Sequence, residues 1–147
     1  MADFVSYKLT GAEELSAKFR DLSEGMRRKV AVPAAKDAMR IVLLDAKDRA
    51  SRVDDPETRN YLPDNIALVE QKKDGAELGA AIVSVGVRKT KAGQRGGNTF
   101  YWWWVELGTE YARARPMLRP ALANNREAVF KEFLSSAKYQ LIKLGVN

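Results

Sequence analysis

Residues 98–122 read Asn-Thr-Phe-Tyr-Trp-Trp-Trp-Val-Glu-Leu-Gly-Thr-Glu-Tyr-Ala-Arg-Ala-Arg-Pro-Met-Leu-Arg-Pro-Ala-Leu and hold all three tryptophans of the chain. Three arginines, two prolines and Gly108 fall in the same stretch. Alternation over 100–107 predicts a strand, with Phe100, Trp102 and Trp104 on one face and Tyr101, Trp103 and Val105 on the other. Gly108 marks a turn, and a short extended arm should follow it to a helix starting near Met117, where Pro116 and Pro120 suit a first turn. Aromatic residues on both faces have two explanations. Helices cover both sides of the strand, or one side is a contact surface. One division places Phe100, Trp102 and Trp104 in the core, with Trp103 facing outward.

Downstream, Leu118, Leu122, Val129, Phe133, Ala137 and Leu141, with Phe130 and Leu134 beside them, give one amphipathic helix to about Leu144. Upstream, Ala81, Val83, Val85 and Val87 alternate with Ile82, Ser84, Gly86 and Arg88, which predicts a strand. A second strand is expected over 66–71, with a turn at 72–75. Between strand and aromatic stretch, 89–98 has three glycines and no apolar anchor, so a mobile basic hairpin loop is expected there. A turn-rich connection at 54–65 precedes the sheet. Before it, Val30, Ala34, Ala35, Ala38, Val42 and Ala46 mark a long helix from a Ser23 cap to near Arg52, with a kink or restart at Pro33. Leu15, Phe19 and Leu22 mark a short helix, with Thr10 and Glu13 as a capping box. The period of two over 4–9 predicts a further strand. The sum is one α+β domain over 1–147: a small antiparallel sheet of three to four strands packed with a long, kinked helix and a long C-terminal helix.

The composition narrows the chemistry. The chain has neither cysteine nor histidine, which removes disulfides, thiolate nucleophiles, Cys- or His-based metal sites and Ser-His-Asp triads. Apolar content of 46% argues against chain-wide disorder. No run reaches the ~20 apolar residues that span a bilayer, and the N-terminus lacks the pattern of a signal peptide, so a cytosolic origin and no membrane partner are expected. The net charge of +6 lies entirely in 75–147, largely in Arg88, Lys89, Lys91 and Arg95 and in Arg113, Arg115 and Arg119. Such patches suit an acidic protein or a phosphate backbone, and equally a solvated loop.

Each catalytic reading is weak. Asp54, Asp55 and Glu57 offer oxygen ligands, but their spacing matches no calcium loop. Gly93, Gly96 and Gly97 near Lys91 and Arg95 lack the Gly-Lys-Ser/Thr of a phosphate-binding loop. Glu106 and Glu110 form a possible carboxylate pair for glycoside hydrolysis, yet pairing with Arg113 or Arg115 explains either acid as well. No catalytic residue, cofactor or metal is therefore expected. Basic segments flanking aromatics leave a sequence-independent DNA-binding module as one alternative.

Residues 96–102 (Gly-Gly-Asn-Thr-Phe-Tyr-Trp), 105–109 (Val-Glu-Leu-Gly-Thr) and 114–122 (Ala-Arg-Pro-Met-Leu-Arg-Pro-Ala-Leu) together resemble the signature of the tail completion (neck, head–tail joining) proteins of long-tailed bacteriophages. Residues 54–58 and 64–66 resemble that family's link from long helix to sheet. The chain departs from the pattern at Thr58-Arg59, where the family commonly has Thr-Gly, and at Trp103 and Trp104, which are more aromatic than the pattern requires. The resemblance implies a non-enzymatic virion protein of the tail or neck, assembled in the bacterial host cytoplasm. It implies a ring of copies of itself, expected to be hexameric, between the head connector or stopper and the tail terminator or tube proteins, with genomic DNA passing through non-specifically. A tail terminator ring is the neighbouring possibility. On this reading Trp103, Tyr111, Arg113, Arg115, Met117 and Arg119 make the subunit interface, and Lys89, Lys91 and Arg95 reach a neighbour or DNA phosphates.

Overall fold

In the computed structural model, residues 11–57, 61–89 and 97–146 are described. The backbone of the fold is a 30-residue helix, α2 (Glu24–Val53). The Ser23 hydroxyl caps it, accepting the Met26 amide at 3.4 Å. Its buried positions, Val30, Ala34, Ala38, Val42, Ala46 and Ala50, recur every four residues. Four of the six are alanine, so neighbouring elements approach the helix closely along its length. The helix does not restart at Pro33. A proline there loses one backbone bond and crowds the Lys29 carbonyl, at a cost of about 3 kcal/mol. Burial of Val30, worth about 1.5–3 kcal/mol, together with Ala34 and Ala38 holds both flanks in register.

Helix α1 (Ala12–Arg20) opens the described chain; the expected Thr10 cap and the strand over 4–9 lie outside the described residues. Leu15 and Leu22 join Val30, Ala34, Ala137 and Leu141 in one apolar cluster. After α2, a one-turn helix α3 (Leu62–Asn65) leads into strand β1 (Ile66–Glu70). Strand β2 (Val83–Val87) pairs with it antiparallel, from Ile66 opposite Val87 to Glu70 opposite Val83. A second cluster gathers Val42, Ala46, Ala50, Leu62, Ile66, Met117 and Ala121, with Val85, Val87 and Trp102 packed against it. Helix α2 thus serves both clusters.

Among the described residues the sheet has two strands rather than three to four. The connection between them is also different from the expected turn at 72–75. Residues Lys72–Leu78 form helix α4. It ends in a left-handed Gly79 (φ 60°), with Gly79 N–H donating to the Ala76 carbonyl and Ala80 N–H to the Gly75 carbonyl at 2.9 Å. Gly75 is a glycine because the chain folds back onto it: a Cβ there would lie 2.7 Å from the Ala80 carbonyl oxygen.

The expected single C-terminal helix is two, α6 (Leu118–Asn124) and α7 (Arg126–Lys143). The break falls at Asn125, whose side-chain amide donates to Asp45 Oδ2 and to the Ala121 carbonyl, both at 2.7 Å. This bond ties the joint to α2. Ser136 repeats the tie further along, donating to Asp37 at 2.7 Å. The two contacts run in opposite chain directions, so α7 lies antiparallel on α2.

Ala46 is fully buried, so Ala46→Leu is expected to cost about 1–3 kcal/mol through overpacking, measured by urea unfolding. An unchanged midpoint would mean that the α2 seam is loosely packed.

Candidate functional site

The aromatic stretch is not a strand. Trp102 N–H donates to the Thr99 carbonyl and Trp104 N–H to the Tyr101 carbonyl, both at 3.0 Å, and helix α5 (Trp102–Leu107) follows. A strand needs a ladder partner, and among the described residues the sheet consists of β1 and β2 alone, with neither paired to 100–107. The helical period also does what alternation cannot. It places Trp102, Val105 and Glu106 inward together, while Trp103, Trp104 and Leu107 face out. The entry to α5 is fixed from below. The Asn65 side-chain amide donates to Thr99 Oγ1 at 2.7 Å and to the Gly97 carbonyl at 2.9 Å. Tyr101 O–H donates to Asp54 Oδ1, which also accepts the Leu62 amide, both at 3.3 Å.

Glu106 is the centre of this region. It is 4% exposed. Its Oε2 accepts the amides of Met117 at 2.7 Å and Leu118 at 3.0 Å, and its Oε1 accepts the Arg119 amide at 3.0 Å. These are first-turn donors of α6, which has no side-chain cap of its own. The Arg119 side chain closes the arrangement, Nε to Oε1 at 3.3 Å and Nη2 to the Glu106 carbonyl at 2.8 Å. Burial alone would raise the carboxyl pKa; the three amides and the guanidinium outweigh it and hold the pKa below its ordinary value. Glu106 is therefore an ionised structural acceptor, with Arg119 as partner in place of the expected Arg113 or Arg115.

The arm returns over the end of α5. Gly108 takes φ 78°, and a Cβ there would sit 2.7 Å from the Ala114 nitrogen. Arg115 N–H then donates to the Val105 carbonyl at 2.8 Å. The Thr109 hydroxyl accepts the amides of Tyr111 and Ala112, at 3.2 and 3.0 Å. The arm is thus a stapled turn rather than an extended segment, and it carries Tyr111 at its tip, 92% exposed.

Of the expected interface residues, Trp103, Tyr111, Arg113 and Arg115 are exposed. Arg119 is exposed along its side chain but is tethered to Glu106. Met117 is 0% exposed and belongs to the core; it is not available as an interface residue. Phe100 and Trp104, assigned to the core by alternation, are 62% and 51% exposed, and their rings meet edge-on at 5.4 Å. Trp103 and Leu107 are 55% and 48% exposed. Trp102 alone of the tryptophans packs on the core, touching Trp103 edge-on at 5.1 Å. The outward set 100, 103, 104, 107 has helical spacing, and that spacing was the available signal. Lys89 is exposed at the end of β2, while Lys91 and Arg95 lie outside the described residues.

The chain matches no protein-family model, and no curated protein or solved structure is detectably similar to it. Among the described residues no three acidic side chains come together as a metal site. Asp54 accepts the Leu62 amide and the Tyr101 hydroxyl, and Asp55 accepts the Glu57 amide at 3.0 Å. No described helix is long and apolar enough to cross a membrane.

Because the folded pKa of Glu106 is depressed, its stabilisation is complete above about pH 4.5 and is lost as pH falls through the lower folded value. Glu106→Gln keeps the shape but removes the charge and points an N–H₂ at backbone donors. It should lose about 2–3 kcal/mol at pH 7, and its deficit relative to the native chain should shrink below pH 4. Denaturant titrations of both proteins from pH 7 to 3 measure this; a deficit independent of pH would contradict the assignment.

Proposed function

We propose that this chain is a structural virion protein of a long-tailed phage, forming a ring at the head–tail junction through which DNA passes. One observation carries the reading: four large apolar side chains, Phe100 just before a short helix and Trp103, Trp104 and Leu107 on it, stand about half exposed or more, and the helix is fixed from below and behind. Apolar side chains left in water at that density mark a contact surface, and Trp, Tyr and Arg are the residues that dominate interface energies. The stapled arm supplies Tyr111, Arg113 and Arg115 beside that helix.

A closed ring requires two different complementary patches on each subunit. The aromatic helix and arm are one. The exposed length of α2, including Leu44, is our choice for the other. Lys89, with Lys91 and Arg95, would face a neighbouring ring or the DNA phosphates, which are contacted without reading sequence. The resemblance of 96–122 to tail completion proteins supports the same role. The position between head connector and tail, rather than a terminator ring on the tube, rests on that resemblance.

Trp103→Ala with Trp104→Ala tests the proposal. The variant should keep the native far-UV circular dichroism, because neither ring is in the core, and should leave separate heads and tails in electron micrographs of assembling particles. Normal particles would overturn the proposal; overlong tails would assign the terminator role in its place.

A further inference from the structure

An apolar cleft lies where α2, β2 and α6 meet. Its volume is about 280 Å³, and its apolar walls are Met39 and Val42 of α2, Val83 and Val85 of β2, and Leu118 and Leu122 of α6. Two polar residues, Ser84 and Arg119, complete the lining, and no acidic residue takes part. The Ser84 hydroxyl already accepts the Gln71 side-chain amide at 2.9 Å. The Arg119 side chain is 63% exposed, and its bonds to Glu106 hold the guanidinium in place. The cleft falls just short of the ~300–1,000 Å³ of small-molecule sites, and suits one or two bulky apolar side chains.

We propose that this cleft receives Trp103 and Trp104 from the aromatic helix of a second copy of this chain. The inference rests on the ring reading and deepens it: the second patch of each subunit contains the cleft, and the contact runs head to tail. Three observations point to this occupant. First, the chain does not fill its own cleft. Glu106 holds α6 on the inner side of α5 while Trp103 and Trp104 face out, and no residue of α5 lines the cleft. Second, the area fits. Aromatic side chains bury ~150–250 Å² each, so Phe100, Trp103, Trp104 and Tyr111, at 62, 55, 51 and 92% exposed, offer about 400–650 Å². With Leu107 and the arginines of the arm, that approaches the ~800 Å² per partner of a stable interface. Third, the charge fits. An indole presents an electron-rich face, and the guanidinium of Arg119, already held by Glu106, is a cation placed to meet it.

Leu122 is 47% exposed, so a substitution there alters the cleft and spares the core. Leu122→Arg puts a second cation in the cleft, and Leu122→Trp fills it from its own chain. Analytical ultracentrifugation of the full chain at its highest soluble concentration measures self-association, with far-UV circular dichroism to show that each variant is folded. Both Leu122 variants, and Trp103→Ala with Trp104→Ala, should weaken self-association at least about tenfold. A head-to-tail contact makes a further demand. The Leu122→Arg chain keeps its aromatic face and the double-alanine chain keeps its cleft, so an equimolar mixture should form a heterodimer that neither forms alone. Self-association unchanged by both Leu122 variants overturns the proposal, as does a native chain that stays monomeric or a mixture that gives no heterodimer. Loss of association in the double-alanine chain alone gives the contact to two aromatic faces meeting each other, and also overturns it. Particle assembly separates this failure from failure of the ring reading. Separate heads and tails with the double-alanine chain, but normal particles with both Leu122 variants, would leave the ring standing and remove the cleft from it. Normal particles from all three would overturn both.

Discussion

A single carboxylate organises the C-terminal half of this molecule. A helix leaves four amides without intrahelical partners at its start. In α6 these belong to Met117, Leu118, Arg119 and residue 120, and residue 120 is a proline with no amide to satisfy. Glu106 accepts the other three. The requirement for α6 is thereby met from α5, and the two helices cannot separate without leaving a buried carboxylate and three backbone donors without their partners. Arg119 completes the exchange by returning to the Glu106 carbonyl. Everything between residues 106 and 117 is constrained by this bond: the positive φ of Gly108, the Thr109 staple and the return of Arg115 to the Val105 carbonyl.

That constraint gives the exposed aromatics their significance. Trp103, Trp104 and Leu107 stand on a helix whose inner face is held by Glu106 and by Trp102 against the core, and whose entry is held by Asn65. A surface fixed in this way loses little side-chain and backbone freedom when another protein covers it, so more of the burial energy remains as affinity. The same local order places the arginines of the arm next to the aromatic face. Geometry and composition support the docking role we propose, and the resemblance of residues 96–122 to tail completion proteins names the setting we propose for it.

Much of this was legible in the residues. The long helix, its Ser23 cap and its buried stripe follow from spacing alone, as do β1, β2 and the packing face of α1. The failures share one cause, which is that local pattern cannot see a distant partner. Alternation of aromatics over 100–107 fits a strand until one asks what pairs with it; the helical period wins because it turns Glu106 onto the amides of α6. Gly75 reads as a turn, but its role is to admit the Ala80 carbonyl. Asn125 sits inside a helical pattern and breaks it through Asp45, 80 residues away in sequence. Met117 lies between exposed Pro116 and the clamp, and only the clamp drives it inward. In the candidate site, the arginines and Trp103 were visible as surface chemistry, whereas Phe100 and Trp104 were misplaced with the strand.

The central claim is that the outer face of α5 is covered when the protein is at work. Hydroxyl-radical footprinting of the free protein and of intact phage particles containing it tests this most directly. The account predicts that Trp103, Trp104 and Tyr111 are modified readily in the free chain and strongly protected in the particle, with Trp102 slow in both. Equal modification of Trp103 and Trp104 in the two states would contradict it.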